Sequence, residues 1–191
     1  MEKVSRVAPV DDVQGNLPAL EAVWSDLEGI DLDLLIVGSD VASGPMPAEV
    51  LDRLEAMGHC VRWVRGNADG VVVSAFDEGF PVADARSSEE PALRASSWAA
   101  SWITSHHRDL MASFEEQVVV EVEGLGAVLF CHATPNSDEE NVTTATPDTR
   151  LRSILALGSR RASSSAGTST RSTTAAWTTG ALSMRGAWGL P

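Results

Sequence analysis

Residues 7–24 read VAPVDDVQGNLPALEAVW, and this stretch sets the fold, because an apolar run, a tight polar loop and an amphipathic helix follow one another without a spacer. Val4 to Val10 is expected to form a short strand, with Pro9 an anomaly inside it, since proline has no N–H to give to a sheet ladder. Asp11-Asp12-Val13-Gln14-Gly15-Asn16 forms the loop. Asn16 suits an N-cap and Pro18 a first helical turn, after which Leu20, Val23, Trp24 and Leu27 mark one apolar helix face.

The same unit repeats downstream. Leu34 to Val37 is a continuous apolar run, and Val50, Leu51, Leu54 and Met57 make a helix face closed by Gly58 as a C′ residue. Cys60 to Val64 supplies a third strand. Alternating strands and helices of this length imply an α/β fold whose parallel strands are buried on both faces. Ala92 to Phe114 reads as helix, with Trp98, Trp102 and Leu110 as packing positions. His106 and His107 adjoin on that helix, and neighbours at i and i+1 do not share a face, so they are expected to be solvated rather than to hold a metal. Val118 to Val122 and Ala127 to Cys131 flank Glu123-Gly124-Leu125-Gly126 as a hairpin. Cys60 and Cys131 lie far apart in apolar surroundings and read as buried free thiols.

A length of 191 residues with 43% hydrophobic content fits one domain. The formal charge of −13 excludes a nucleic-acid binder that relies on a basic face. No 18-residue apolar run or leader-like segment is visible, so neither a membrane partner nor secretion is expected, and a cytoplasmic location is. The charge is unevenly spread: all 27 acidic residues lie at or before Asp148, whereas Arg150, Arg152, Arg160, Arg161, Arg171 and Arg185 follow. About half of residues 159–183 are Ser or Thr, with no periodic apolar face. The chain therefore divides into a domain over residues 1–157 and a polar tail over residues 158–191.

Each of the three early strands is followed by a loop with an acceptor ligand: Asp12 in the first, Gly38-Ser39-Asp40 in the second, Gly66-Asn67-Ala68-Asp69 in the third. A fourth segment, Cys131-His132-Ala133-Thr134-Pro135, closes the hairpin. In an α/β sheet the carboxyl ends of the strands form the ligand crevice, so these segments can converge. Two carboxylates, an amide and an imidazole suit Mn²⁺, Fe or Zn²⁺. Singly, each pair is an ordinary turn; their order is what distinguishes them.

Asp12-Val13-Gln14-Gly15-Asn16, Gly38-Ser39-Asp40, Gly66-Asn67 and strand-final His132, in this order, resemble the signature of calcineurin-like metallophosphoesterases over residues 1 to about 157. Leu17 to Val23 and His132-Ala133-Thr134-Pro135 resemble the small prokaryotic phosphodiesterase branch. The resemblance implies a four-layer α/β/β/α sandwich with two divalent metals at one edge of its sheets, Mn²⁺ first, with Fe, Zn²⁺, Ni²⁺ or Mg²⁺ as the other candidates. It further implies that Asp40 bridges both metals, that Asp12 holds the first, and that Asn67 and His132 hold the second. A metal-activated hydroxide would then attack a phosphate-ester substrate in line, with no covalent intermediate.

Two departures bear on activity. Gln14 stands where the family motif has histidine, and an amide oxygen is the poorer ligand for a transition metal. The family's later Gly-His-x-His motif is missing, because no histidine follows His132. Shifting the reading frame near Gly158 restores Gly-His-Ile-His across residues 166–170 and Asn-Ala-Gly-Ser-Val-Gly at 183–189 for a permitted choice of codons, so the tail reads as a frameshift product. The chain is thus expected to hold one metal or none, and to be an impaired phosphoesterase or a non-catalytic binding module with the same fold. Arg65 is expected at the surface rather than on a substrate phosphate, and substrate choice is expected in the loop from Asp77 to Pro91.

Overall fold

A computed structural model describes residues 3–79, 91–140, 142–143 and 145–154. Its strands are β1 (Lys3–Val4), β2 (Val7–Asp11), β3 (Leu34–Gly38), β4 (Val61–Val64), β5 (Gln117–Val122) and β6 (Gly126–Cys131). Its helices are α1 (Leu17–Leu27), α2 (Pro47–Glu55), α3 (Asn67–Asp77), α4 (Pro91–Ala100) and α5 (Ser105–Ala112). No helix among the described residues is long and apolar enough to cross a membrane.

The described residues form two three-stranded sheets, ordered β2-β3-β4 and β1-β5-β6. The first is wholly parallel, with Val10 opposite Val37 and Val37 opposite Trp63. In the second, β1 runs parallel to β5, and β5 pairs with β6 as an antiparallel hairpin. The expected strand from Val4 to Val10 is therefore two strands in different sheets. Pro9 is accommodated because β2 is the edge strand of its sheet among the described residues, where one side of the backbone has no ladder to complete.

Strand alternation builds two cores. Leu35 and Val37 of β3 face α1, α2, α3 and α5 together with Leu20, Val50, Leu51, Leu54, Val72 and Met111. Ile36, between them, points the other way and meets Val64, Val118, Val120, Val128 and Phe130 between the sheets. The order of layers is helices, sheet, sheet. A fourth layer, on the outer face of the second sheet, is not seen among the described residues, and the tail read as a frameshift product lies outside them from residue 155 onward.

Local chemistry explains the helix ends. Asn16 Oδ1 accepts the Ala19 N–H at 3.1 Å, and Thr104 caps α5 by accepting the His107 N–H at 3.2 Å. That second cap divides the single helix expected over Ala92 to Phe114 into α4 and α5. Trp98 and Trp102, expected to pack, are 41% and 61% exposed, and their rings meet tilted, with centroids 5.5 Å apart. Cys60 is exposed rather than buried, whereas burial pushes the Cys131 thiol up to about 11; both are free.

The two histidines of α5 part company. His107 is only 4% exposed, and its Nε2 lies 2.9 Å from Asp52 Oδ1. His106 is exposed and reaches Glu55 at 2.8 Å. The hydrogen bond and charge of Glu55 raise the His106 pKa. Because the folded value is raised, this pair stabilises the fold fully below the ordinary histidine value and loses that contribution as pH rises through the folded one. In Glu55→Gln, the His106 titration followed by NMR is expected to move down toward about 6.5, while the buried His107 resonances keep their wild-type shifts.

Candidate functional site

Parallel strands deliver their carboxyl ends to one edge, and backbone hydrogen bonds then lace the following loops together. Asp12 N–H donates to the Ser39 carbonyl at 3.0 Å, Gln14 N–H to Asp40 at 2.9 Å, Gly15 N–H to Val41 at 2.8 Å, and Ser39 N–H to Val64 at 2.9 Å. Asp12, Gln14, Ser39, Asp40 and Ala133 are the non-glycine residues with positive φ among the described residues, and all five lie in these loops or directly after β6. A conformation that costs roughly 1–3 kcal/mol per residue is concentrated where function is sought.

Glycine permits the close approach. A Cβ on Gly44 would lie 1.7 Å from the Gln14 carbonyl oxygen, so only glycine lets the 12–16 loop rest on the segment after Asp40.

The residues singled out in the sequence fall on this edge. Asn67 opens α3, directly after Arg65 and Gly66, and its Oδ1 accepts from His132 Nε2 at 3.1 Å. Gln14 Nε2 donates to Asp40 Oδ2 at a long 3.5 Å, and Asp40 Oδ1 accepts the Ala68 N–H at 2.9 Å. Asp12 and Asn67 are exposed, while Asp40, Gln14 and His132 are half-buried, so the edge is open to solutes.

Negative charge accumulates there. Burial and the neighbouring Asp12 push the Asp11 carboxyl up to about 6, with His132 opposing. Partial desolvation of its carboxyl by the packed loops and the Asp40 charge raise Asp12, although the residue as a whole is exposed, against His132 and a hydrogen bond from Gln14. Among the described residues, none of Asp11, Asp12, Asp40 and Asp69 forms an ion pair with Lys or Arg. Arg65, the nearest cation in sequence, is engaged by Glu116 at 2.8 Å.

Sequence reasoning quoted Asp69 and Asp11 within their loops but gave neither a role. Asp69 is fully buried, and burial pushes its carboxyl up to about 7 against three amide donors. Its signal was the three-residue spacing from Gly66, at which a side chain reaches back to the amide that begins a helix. Nothing local marks Asp11, whose burial is set by the packed loops.

The set fits a divalent cation in kind, with oxygen-rich donors, one imidazole and unpaired negative charge. It falls short in number: no three Asp, Glu, His or Cys side chains among the described residues stand in a metal-holding arrangement. Asn67 and Gln14 are the remaining donors.

No family model and no curated protein matches the chain. Solved structures do. A hypothetical protein from Pyrococcus horikoshii matches with a TM-score of 0.67 at 15% identity, over 83% of this chain and 66% of that one. A metallophosphoesterase from Sphaerobacter thermophilus matches with a TM-score of 0.52 at 25% identity, over 71% of this chain and 49% of that one. A protein provisionally assigned as a diadenosine tetraphosphatase matches with a TM-score of 0.51 at 19% identity, over 77% and 55%. The chain spans between about half and two thirds of the length of these structures.

Proposed function

We propose that this chain, which belongs by fold and motif order to the calcineurin-like metallophosphoesterase superfamily, is a metal-dependent phosphoesterase of the small phosphodiesterase type working with a depleted ligand set. The observation that carries the reading is the convergence of Asp12, Asp40, Asn67 and His132 on one open edge, where no Lys or Arg among the described residues forms an ion pair with the carboxylates. Asp12 and Asp40 would hold a first divalent ion with Gln14 as a weak third donor; Asp40, Asn67 and His132 would hold a second. When bound, such an ion supplies Lewis acidity and an acidified water for displacement at phosphorus.

The chain's own residues set the rest. Ala68 N–H fixes the Asp40 carboxylate, and the Asn67 Oδ1–His132 Nε2 hydrogen bond keeps these two donors side by side until a cation would replace it. Carboxylates with raised proton affinity make cation binding stronger as pH rises and the protons leave. The cytoplasmic location and the phosphate-ester partner belong to the same proposal.

A second reading, a non-catalytic binding module, is favoured by the shortfall of acidic and imidazole donors. Hydrolysis of bis-p-nitrophenyl phosphate with added Mn²⁺ separates the two, run on this chain and on one re-encoded in the shifted frame from Gly158. Mn²⁺-dependent turnover by this chain supports the enzyme; turnover by the re-encoded chain alone identifies a phosphodiesterase disabled by the shifted frame; silence in both, with Mn²⁺ bound, supports the module. In the same assay Gln14→His is expected to reduce the Mn²⁺ concentration needed for half-maximal rate by about tenfold, which is roughly 1.4 kcal/mol of added metal affinity.

A further inference from the structure

We propose that Asp69 is a positioning residue that presents Asp40 and Asn67 as a preformed pair of cation donors. Among the described residues its two oxygens take three amides: Oδ2 accepts from Asp40 N–H at 3.0 Å and from Gly66 N–H at 2.9 Å, and Oδ1 accepts from Val41 N–H at 2.9 Å. Each donor lies on or beside a site residue, and two of them are 28 and 29 positions away in sequence. One buried carboxylate thus spans the loops after β3 and β4.

The clamp is reciprocal. Asp69 holds the backbone of Asp40, and the Asp40 carboxylate in turn accepts the Ala68 N–H, one residue before Asp69. Asp40 sits at φ +53, where non-glycine residues are uncommon, and its own N–H is one of the three bonds to Asp69. Side-chain direction follows backbone direction, so the bond that holds this backbone aims the carboxylate. Asp69 is fully buried, so it reaches neither substrate nor solvent and acts through the residues it holds.

The chemistry of this inference rests on the phosphoesterase reading; its geometry does not. The test compares wild type, Asp69→Asn and, as a core truncation away from the site, Leu54→Ala, by amide hydrogen exchange and by Mn²⁺ binding followed through the electron paramagnetic resonance of free Mn²⁺. The Ala68 amide is the decisive probe, because it bonds Asp40 and not Asp69. In Asp69→Asn its protection is expected to fall at least tenfold along with those of Asp40, Val41 and Gly66, while Val37 in β3 is unchanged, and the Mn²⁺ Kd is expected to rise at least tenfold. Leu54→Ala is expected to leave that Kd within twofold. Wild-type protection at Ala68 in Asp69→Asn, or an unchanged Kd, overturns the proposal. If wild type binds no Mn²⁺, the phosphoesterase reading fails, and the exchange result alone upholds or overturns the positioning role. If Asp69→Asn does not fold, exchange in wild type decides: one common opening of the four amides upholds the clamp, and independent opening of Ala68 sinks it.

Discussion

Asp40→Asn is expected to lose more than about 100-fold of Mn²⁺-dependent bis-p-nitrophenyl phosphate hydrolysis, beyond the 10–100-fold typical of residues that only support a ligand. The substitution keeps the shape and one carbonyl oxygen, so the Ala68 N–H retains an acceptor and the loop its conformation. What disappears is the charge at the point where Asp12, Asn67 and His132 converge. Removing it also relieves Asp12, whose proton affinity Asp40 raises, so the Asp12 carboxyl should titrate lower in the variant. Thermal unfolding in EDTA is expected to match wild type or improve on it, because repulsion is lost and no packing is. Lost activity together with a lowered Tm in EDTA would assign Asp40 to the scaffold and contradict its role as a ligand.

Gly66→Ala should have the opposite signature, a loss of stability rather than of charge. A Cβ at this position would stand 2.4 Å from the Asp40 backbone nitrogen and 2.9 Å from the Ser39 Cα, and no side-chain rotation relieves contacts with backbone. Residues 39 and 40 already hold positive φ, and Gly66 N–H is tied to Asp69. Relief therefore requires the loops after β3 and β4 to separate, breaking the Asp69 clamp. A loss of about 3 kcal/mol is expected, at the upper end for overpacking, which lowers Tm by roughly 6–12 °C in a chain of this size. The measurement is thermal unfolding by circular dichroism; a Tm within 2 °C of wild type would mean that the loops do not touch as closely as described.

The two substitutions separate what the loops do. One removes a charge from an intact frame, and the other pries the frame apart. The strained loop backbone gives a reason for the difference: it is held in place by the amide network around Asp69 rather than by local preference.

Much of this was written in short-range chemistry. The apolar runs at Leu34–Val37 and Val118–Val122, the Asn16 cap, the glycine after α2 and the hairpin turn each depend on residues within a few positions of one another, so the sequence by itself determined these elements and their order, whereas α3 over Asn67–Asp77 was not read from it. The order of Asp12, Asp40, Asn67 and His132 was legible for the same reason, since each follows a recognisable strand. Only the tertiary structure decided which groups share an environment. It divided Val4 from Val10 between two sheets, buried His107 beside Asp52 and left Trp98 and Trp102 exposed. It also made Asp69 the tie between loops 28 and 29 residues apart. Burial and amide capture depend on what the rest of the chain brings alongside, and periodicity within one segment carries no information about that.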